Sequence, residues 1–229
     1  EKARLAIVGT GSRGQYHIQN LLNTPEAEIV ALCDIYPSHL AEAAALCPGA
    51  KCYSDFDELL KDTNVQGLVI AVPLSSHAPL SIAGLRAGKH VFCEKAMAYT
   101  VDECKQMYDV WKETGKVLYI GQQRLFDKKY IRAVELINSG EIGQIVALRN
   151  FWFRNNDWRR PVPSPEFERL INWRLYRDTS CGLMTELGCH HLQNGTWILR
   201  SLPDYITGSG DIVYWKDGRD VYDSVSTIY

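Results

Sequence analysis

Leu5-Ala6-Ile7-Val8-Gly9-Thr10-Gly11-Ser12-Arg13-Gly14 decides how the chain reads. Four apolar residues form a short run suited to a buried parallel strand, and a helical segment follows the glycines. Strand, glycine turn and helix in this order make the dinucleotide fingerprint G-x-G-x-x-G. Gly9 permits the tight turn, Gly11 lets backbone approach a pyrophosphate, and Gly14 lets helix pack on strand. The helix N-terminus, with Ser12 and Arg13, offers N–H groups and a positive dipole end to phosphate oxygens. Twenty residues on, Glu28 to Cys33 reads as the next strand and Asp34 closes it. An acid there accepts hydrogen bonds from ribose hydroxyls and repels an added phosphate, so NAD is expected in preference to NADP. Ile35 and Tyr36 follow it, with no arginine to receive such a phosphate.

Strand and helix then alternate to residue 121. The expected helices are Arg13 to Leu22, a Ser38-capped helix to Leu46, a short helix with an Asp55/Glu58 capping box, His77 to Ala87, and a Thr100/Glu103-capped helix to Thr114. The expected strands after the second are Lys51 to Tyr53, Gly67 to Val72, His90 to Cys93 and Val117 to Gly121. Parallel strands need such crossover helices. Residues 1–121 therefore read as a doubly wound parallel sheet, with ligands beyond the carboxyl ends of its strands. Pro73 to His77, Glu94-Lys95 and Gln122-Gln123-Arg124 fall at those ends.

From residue 122 the pattern changes. Lys128 to Asn138 reads as a helix and Ile145 to Phe153 as a long alternating strand. A Trp- and Arg-rich connection runs from Arg154 to Asp178, and Cys181 to Leu199 reads as a helix. Tyr205 to Trp215 and Asp220 to Tyr229 read as paired antiparallel strands turning at Lys216-Asp217-Gly218. Residues 122–229 are thus an expected α+β domain with an open, largely antiparallel sheet.

The 229 residues are 46% hydrophobic and 23% charged, with a formal charge of −2. Such a balance gives no basic field for nucleic acid or an anionic membrane. The longest apolar run, Leu68 to Leu74, is far short of the ~20 residues of a membrane helix. Seven scattered cysteines without a Cys-x-x-Cys pair suggest free thiols in a reducing, cytoplasmic setting. The chain begins at Glu1 without methionine, so a removed leader, and with it a periplasmic setting, stays open.

Lys95 follows a strand at the carboxyl edge, where a lysine can hold positive charge against a substrate oxygen. Glu94 beside it fixes its position or contacts cofactor. Glu186, His190 and Asn194 recur at i, i+4 and i+8 on one helix face, and a carboxylate one turn from an imidazole can set its tautomer. His191 points about 100° away. The H-E-x-x-H spacing is missing, so no metal is expected.

Gly9 to Gly14, Asp34, Val72-Pro73 with His77, Glu94-Lys95, and Gly182 through Glu186, Gly188 and His190 together resemble the Gfo/Idh/MocA oxidoreductases, the family of glucose-fructose oxidoreductase and inositol dehydrogenase. The resemblance covers essentially the whole chain. It implies an N-terminal Rossmann domain binding NAD(P), a C-terminal domain whose open sheet mediates homo-oligomers, and oxidation or reduction of a sugar or cyclitol hydroxyl. The family's catalytic lysine falls on Lys95, its helix acid on Glu186 and its catalytic histidine on His190. Gly9, Gly11, Ser12, Arg13, Gly14, Asp34, Ile35, Val72, Pro73, His77, Glu94, Lys95 and Gln123 are the expected cofactor contacts. Substrate contacts are expected from Arg124, Trp158, Trp173, Arg174 and His191, with Trp152, Arg154 and Tyr176 as further walls. Ala96 stands in place of the family's proline, Glu186 in place of its usual aspartate, and Gln193 where an aspartate is common. The resemblance also implies more sequence after Tyr229. Two other readings stay open: glycoside cleavage by transient NAD-dependent oxidation, and a non-catalytic NAD-binding sensor or partner subunit.

Overall fold

The computed structural model describes residues 1–229, which divide into two units, Glu1–Gly121 and Gln122–Tyr229.

In the first unit six parallel strands form one sheet in the order β3-β2-β1-β4-β5-β6. They are β1 (Ala3–Val8), β2 (Ala27–Cys33), β3 (Lys51–Tyr53), β4 (Gly67–Ile70), β5 (His90–Glu94) and β6 (Leu118–Gly121). The crossovers carry α1 (Ser12–Leu22), α2 (Pro37–Leu46), α3 (Phe56–Leu60), α4 (His77–Arg86) and α5 (Val101–Thr114). Alternate residues of each central strand face opposite cores. Ile7, Leu32 and Val69 pack with Ile18 of α1 and Ala43 of α2. Ala6, Val8, Leu68 and Ile70 pack with Leu59 of α3, Leu85 of α4 and Val110 of α5. A sheet covered on both faces is why these strands read as unbroken apolar runs. Each large aliphatic side chain so buried contributes about 1.5–3 kcal/mol.

The helix ends follow local chemistry. Thr100 and Glu103 form the reciprocal capping box of α5, and Gly115 closes that helix at φ 63°. Two expected caps differ. Pro37 occupies the first turn of α2, so Ser38 lies inside the helix and its hydroxyl turns to Glu42; proline's fixed φ favours that start. Asp55 caps α3 through the Asp57 N–H, while Glu58 pairs with Lys61 instead of completing the box.

The second unit holds α6 (Lys128–Asn138), a short α7 (Glu168–Ile171), α8 (Cys189–Leu199) and the antiparallel pair β7 (Thr207–Asp211) and β8 (Ser224–Ile228). Three expectations are corrected here. Ile145 to Phe153 is not a strand. It has the alternation but no neighbouring chain to form a ladder, and Val146 and Phe153 are each 89% exposed. The helix expected from Cys181 begins later, with a π turn over Met184–Gly188 leading into α8; Gly182 before it sits at φ 72° with its open side against Val221. The hairpin is also shorter than expected. Asp223 accepts hydrogen bonds from the N–H groups of Val213, Tyr214 and Trp215, which takes them from the ladder and ends the pairing at Asp211.

No helix is long and apolar enough to cross a membrane.

Candidate active site

The strand order reverses between β1 and β4, and the glycine turn lies at that point. Gly9 has φ 84°, and a Cβ there would stand 2.6 Å from the Ala71 carbonyl oxygen, just past β4. A Cβ on Gly14 would fall 2.0 Å from the Gly9 carbonyl oxygen, so only glycine lets α1 start this close to β1. Gly11, the N-cap of α1, supplies no capping side chain, and the first turn carries no acid. A helix N-terminus without a side-chain cap or a nearby acid suits an outside anion, and the cradle fits a pyrophosphate.

Asp34 closes β2 beside this turn. Its Oδ2 accepts from the Thr10 N–H at 2.7 Å and the Thr10 hydroxyl at 3.2 Å, and its Oδ1 accepts from the Tyr36 N–H at 2.8 Å. The carboxylate is thus fixed at the glycine turn, with Ile35 exposed next to it. Thr10 fills both lone pairs of Oδ2, while Oδ1 keeps one for a hydroxyl donor.

Glu94 ends β5 and is only 5% exposed. Its Oε1 accepts from Arg13 Nε at 2.6 Å and faces His17 Nε2 at 2.8 Å; its Oε2 accepts from the Lys95 N–H at 3.2 Å. Burial pushes the Glu94 carboxyl up, but His17 and Arg13 outweigh it and hold the acid at about 2. An ionised carboxylate only accepts, so His17 Nε2 carries the hydrogen. His17 was not among the residues read from sequence. The signal was its place four residues after Arg13, on the same face of α1.

Lys95 is half-buried at the exit of β5, and its peptide bond to Ala96 is cis. His77, 2% exposed, points Nδ1 at the Ala96 carbonyl oxygen (2.7 Å) and Nε2 at the Val72 carbonyl oxygen (3.1 Å). Val72 and Pro73, half-buried past β4, therefore connect through His77 to the Lys95 segment.

In the second unit His190 is buried near the start of α8. Trp152 stacks on it at 5.9 Å between ring centroids and lies 5.7 Å from the His191 ring. The Arg124 guanidinium sits over Trp152 at 5.2 Å. Burial, and then the charge of Arg124, hold His191 below its ordinary value. Asn194, one turn past His190, is 5% exposed, and its Oδ1 accepts no hydrogen bond. Glu186 is buried in the π turn, where its carboxylate accepts from Arg174 Nε at 3.0 Å and from the Ser180 hydroxyl at 3.3 Å. Arg174 also lies over the Trp173 ring, so these two expected substrate walls stand beside Glu186, Arg174 by direct contact. Tyr176 is buried, and its hydroxyl donates to Glu168. Trp158, at φ 63°, lines an open cleft with Trp152, Arg154 and Trp215. Gln123 is exposed, in a single 3₁₀ turn (Gln123–Phe126). Of the expected substrate contacts, Arg124, Trp152 and His191 gather around His190, and Trp158 shares the cleft with Trp152.

Residues 3–122 match the GFO/IDH/MocA oxidoreductase family with its NAD-binding Rossmann fold, and residues 130–229 match the GFO/IDH/MocA C-terminal domain. Inositol 2-dehydrogenase of Salmonella typhimurium is 38% identical over 145 residues, which are 62% of this chain and 43% of that protein. The chain thus spans less than half the length of that relative. An NAD-binding protein from Listeria innocua superposes with a TM-score of 0.78 at 26% identity, covering 99% of this chain and 63% of that one. The WlbA dehydrogenase from Bordetella pertussis, solved with NADH and UDP-GlcNAcA, shares the fold with a TM-score of 0.82 at 24% identity, over 99% of this chain and 66% of that one. The glycine cradle, the acid at the end of β2 and two successive domain matches lead to one conclusion: this chain belongs to the GFO/IDH/MocA family of oxidoreductases.

Proposed function

We propose that the protein is an NAD-dependent dehydrogenase acting on a CH–OH group of a sugar or cyclitol. The observation that carries this reading is the side-chain-free cradle at Gly9, Gly11 and Gly14, with the Asp34 carboxylate fixed beside it. The α1 N-terminus holds the pyrophosphate, and Asp34 Oδ1 accepts from a ribose hydroxyl. Bound NAD supplies the hydride acceptor. Lys95 directs its positive charge to the substrate oxygen and stabilises the alkoxide as it forms. His190 takes the hydroxyl proton at a ring nitrogen, a task suited to an imidazole near pH 7. Glu186, fixed by Arg174 and Ser180, keeps a carboxylate one turn before that imidazole. Trp152 and Arg124 cover the ring face and the hydroxyls of the substrate, a pairing suited to carbohydrate.

The test is absorbance at the NADH band across a panel of sugars and cyclitols, beginning with protein stripped of endogenous nucleotide. NADH formation with at least one polyol is expected. Lys95→Ala and His190→Ala should each then lower turnover by ~100-fold or more, the usual scale for positioned acid–base groups. Release of sugar from a glycoside with no net NADH would replace this reading with cleavage by transient oxidation. Bound NAD without hydride transfer to any member of the panel would leave a sensor or partner subunit.

A further inference from the structure

The residues flanking Lys95 are tied to two separate histidines. Upstream, the Lys95 N–H donates to Glu94 Oε2, and Oε1 of the same carboxylate takes its donors from Arg13 and His17, one turn apart on α1. A carboxylate this buried is costly unless paired, and here it is met by three donors. The His17 ring is further seated edge-on against Phe92 of β5, with ring centroids 5.3 Å apart. Downstream, the Ala96 carbonyl meets His77 Nδ1, while His77 Nε2 reaches the Val72 carbonyl at the exit of β4. Carbonyl oxygens only accept, so His77 donates in both directions only as the imidazolium, and a neutral ring holds one end. Each histidine is engaged within the protein, His17 through Nε2 at Glu94 and His77 at two carbonyls. His17 is a full turn inside α1, and both His77 nitrogens face main-chain oxygens.

We propose that His17 and His77 are positioning residues for Lys95. His17 acts through Glu94 and His77 through the Ala96 carbonyl. Together they fix the peptide carrying the amine to the helix that cradles the cofactor and to the strand beside it. Chemistry is sensitive to such alignment, since a misplacement of about 1 Å can cost up to 10²-fold in rate. The inference rests on the role given to Lys95 above.

The test uses His17→Phe, which keeps the ring packing and removes the donor, and His17→Gln, which keeps a donor; His77→Phe and His77→Gln form the second pair. Four quantities are read in each variant: melting temperature, NAD dissociation constant by calorimetry, kcat with the best polyol of the panel, and the rate at which a water-soluble amine-acylating reagent labels Lys95, scored by peptide mass spectrometry against the other lysines. Both Phe variants should lower kcat by ~10-fold, change the Lys95 labelling rate by about threefold or more relative to the other lysines, and move the NAD constant by less than about twofold. The Gln variants should recover most of both losses. Unchanged Lys95 labelling and kcat in the Phe variants would overturn the proposal. So would a loss of kcat matched by weaker NAD binding, which would make these residues cofactor contacts, or one matched by a fallen melting temperature with no recovery in Gln. Labelling reads the placement of Lys95 without turnover. A protein inactive on every polyol, or a fully active Lys95→Ala, therefore sinks the catalytic reading separately from the positioning one.

Discussion

Residues 1–121 and 122–229 solve the problem of burial in opposite ways. In the first unit the strands insert Ile7, Leu32, Leu68, Ile70 and Val91 between helices, each at most 1% exposed. In the second, the buried apolar side chains are Val134, Leu175, Tyr176 and Val221, and a network of charged side chains, of which Arg219 is buried, ties segments together. Arg159 joins Glu168 and Asp217, Arg219 joins Asp217, and the Tyr176 hydroxyl donates to Glu168. Apolar packing needs shape but no specific polar partner, so each methylene removed from the sheet core costs stability through lost burial and the cavity left behind. A charge network holds only while every member is present. On the proposed function, the difference suits a division of labour in which one unit fixes the cofactor and the other presents polar and aromatic groups to a polyhydroxylated substrate.

The comparison breaks most visibly in the core of the first unit. Leu32→Ala should cost about 2–5 kcal/mol by chemical denaturation, the range for emptying a fully buried aliphatic site. A cost below about 1 kcal/mol would mean the sheet is not the stable half. Asp217→Asn probes the second unit. Hydrogen bonds from Arg219, against the opposing effect of burial and with help from Arg159, hold Asp217 below its ordinary value near 3.8. A depressed folded-state value stabilises above the unfolded value, and that stability is lost as pH falls below about 4. Asp217→Asn should therefore cost about 1–3 kcal/mol at pH 7 and flatten the acid limb of the stability profile, measured by melting between pH 2 and 7. A full acid limb in the variant would assign it to other carboxylates, such as Glu94. The smallest effect is expected at Phe153→Ala, within about 0.5 kcal/mol of the parent, because the side chain is 89% exposed and its segment joins no ladder. A larger loss would show that the stretch pairs with something after all.

Legibility in the sequence followed the same divide. The first unit was readable because its signals are local. A strand buried on both faces shows as Gly67 to Ile70 does, and a capping box shows as Thr100 with Glu103 does. The second depends on distant choices. Nothing within Ile145 to Phe153 says whether a neighbour will pair with it, and the extent of the β7–β8 ladder was set by Asp223 drawing away three N–H groups. Among candidate site residues, Lys95, Glu94 and His190 stood at strand ends or in a motif. His17 was hidden because its partner lies 77 positions away. The pairing of the Arg174 guanidinium with Glu186, twelve positions on, is likewise invisible in the sequence.

The central claim is that NAD lies on the turn Gly9 to Gly14 with its ribose at Asp34. Calorimetric titration of NAD and NADP into nucleotide-stripped protein, beside the Asp34→Ala variant, tests it most directly. Saturable NAD binding at least ~10-fold tighter than NADP is expected, with that preference reduced in the variant, since the acid both accepts from the ribose and repels the added phosphate. No heat with either nucleotide, or NADP bound more tightly than NAD by the parent protein, would contradict it.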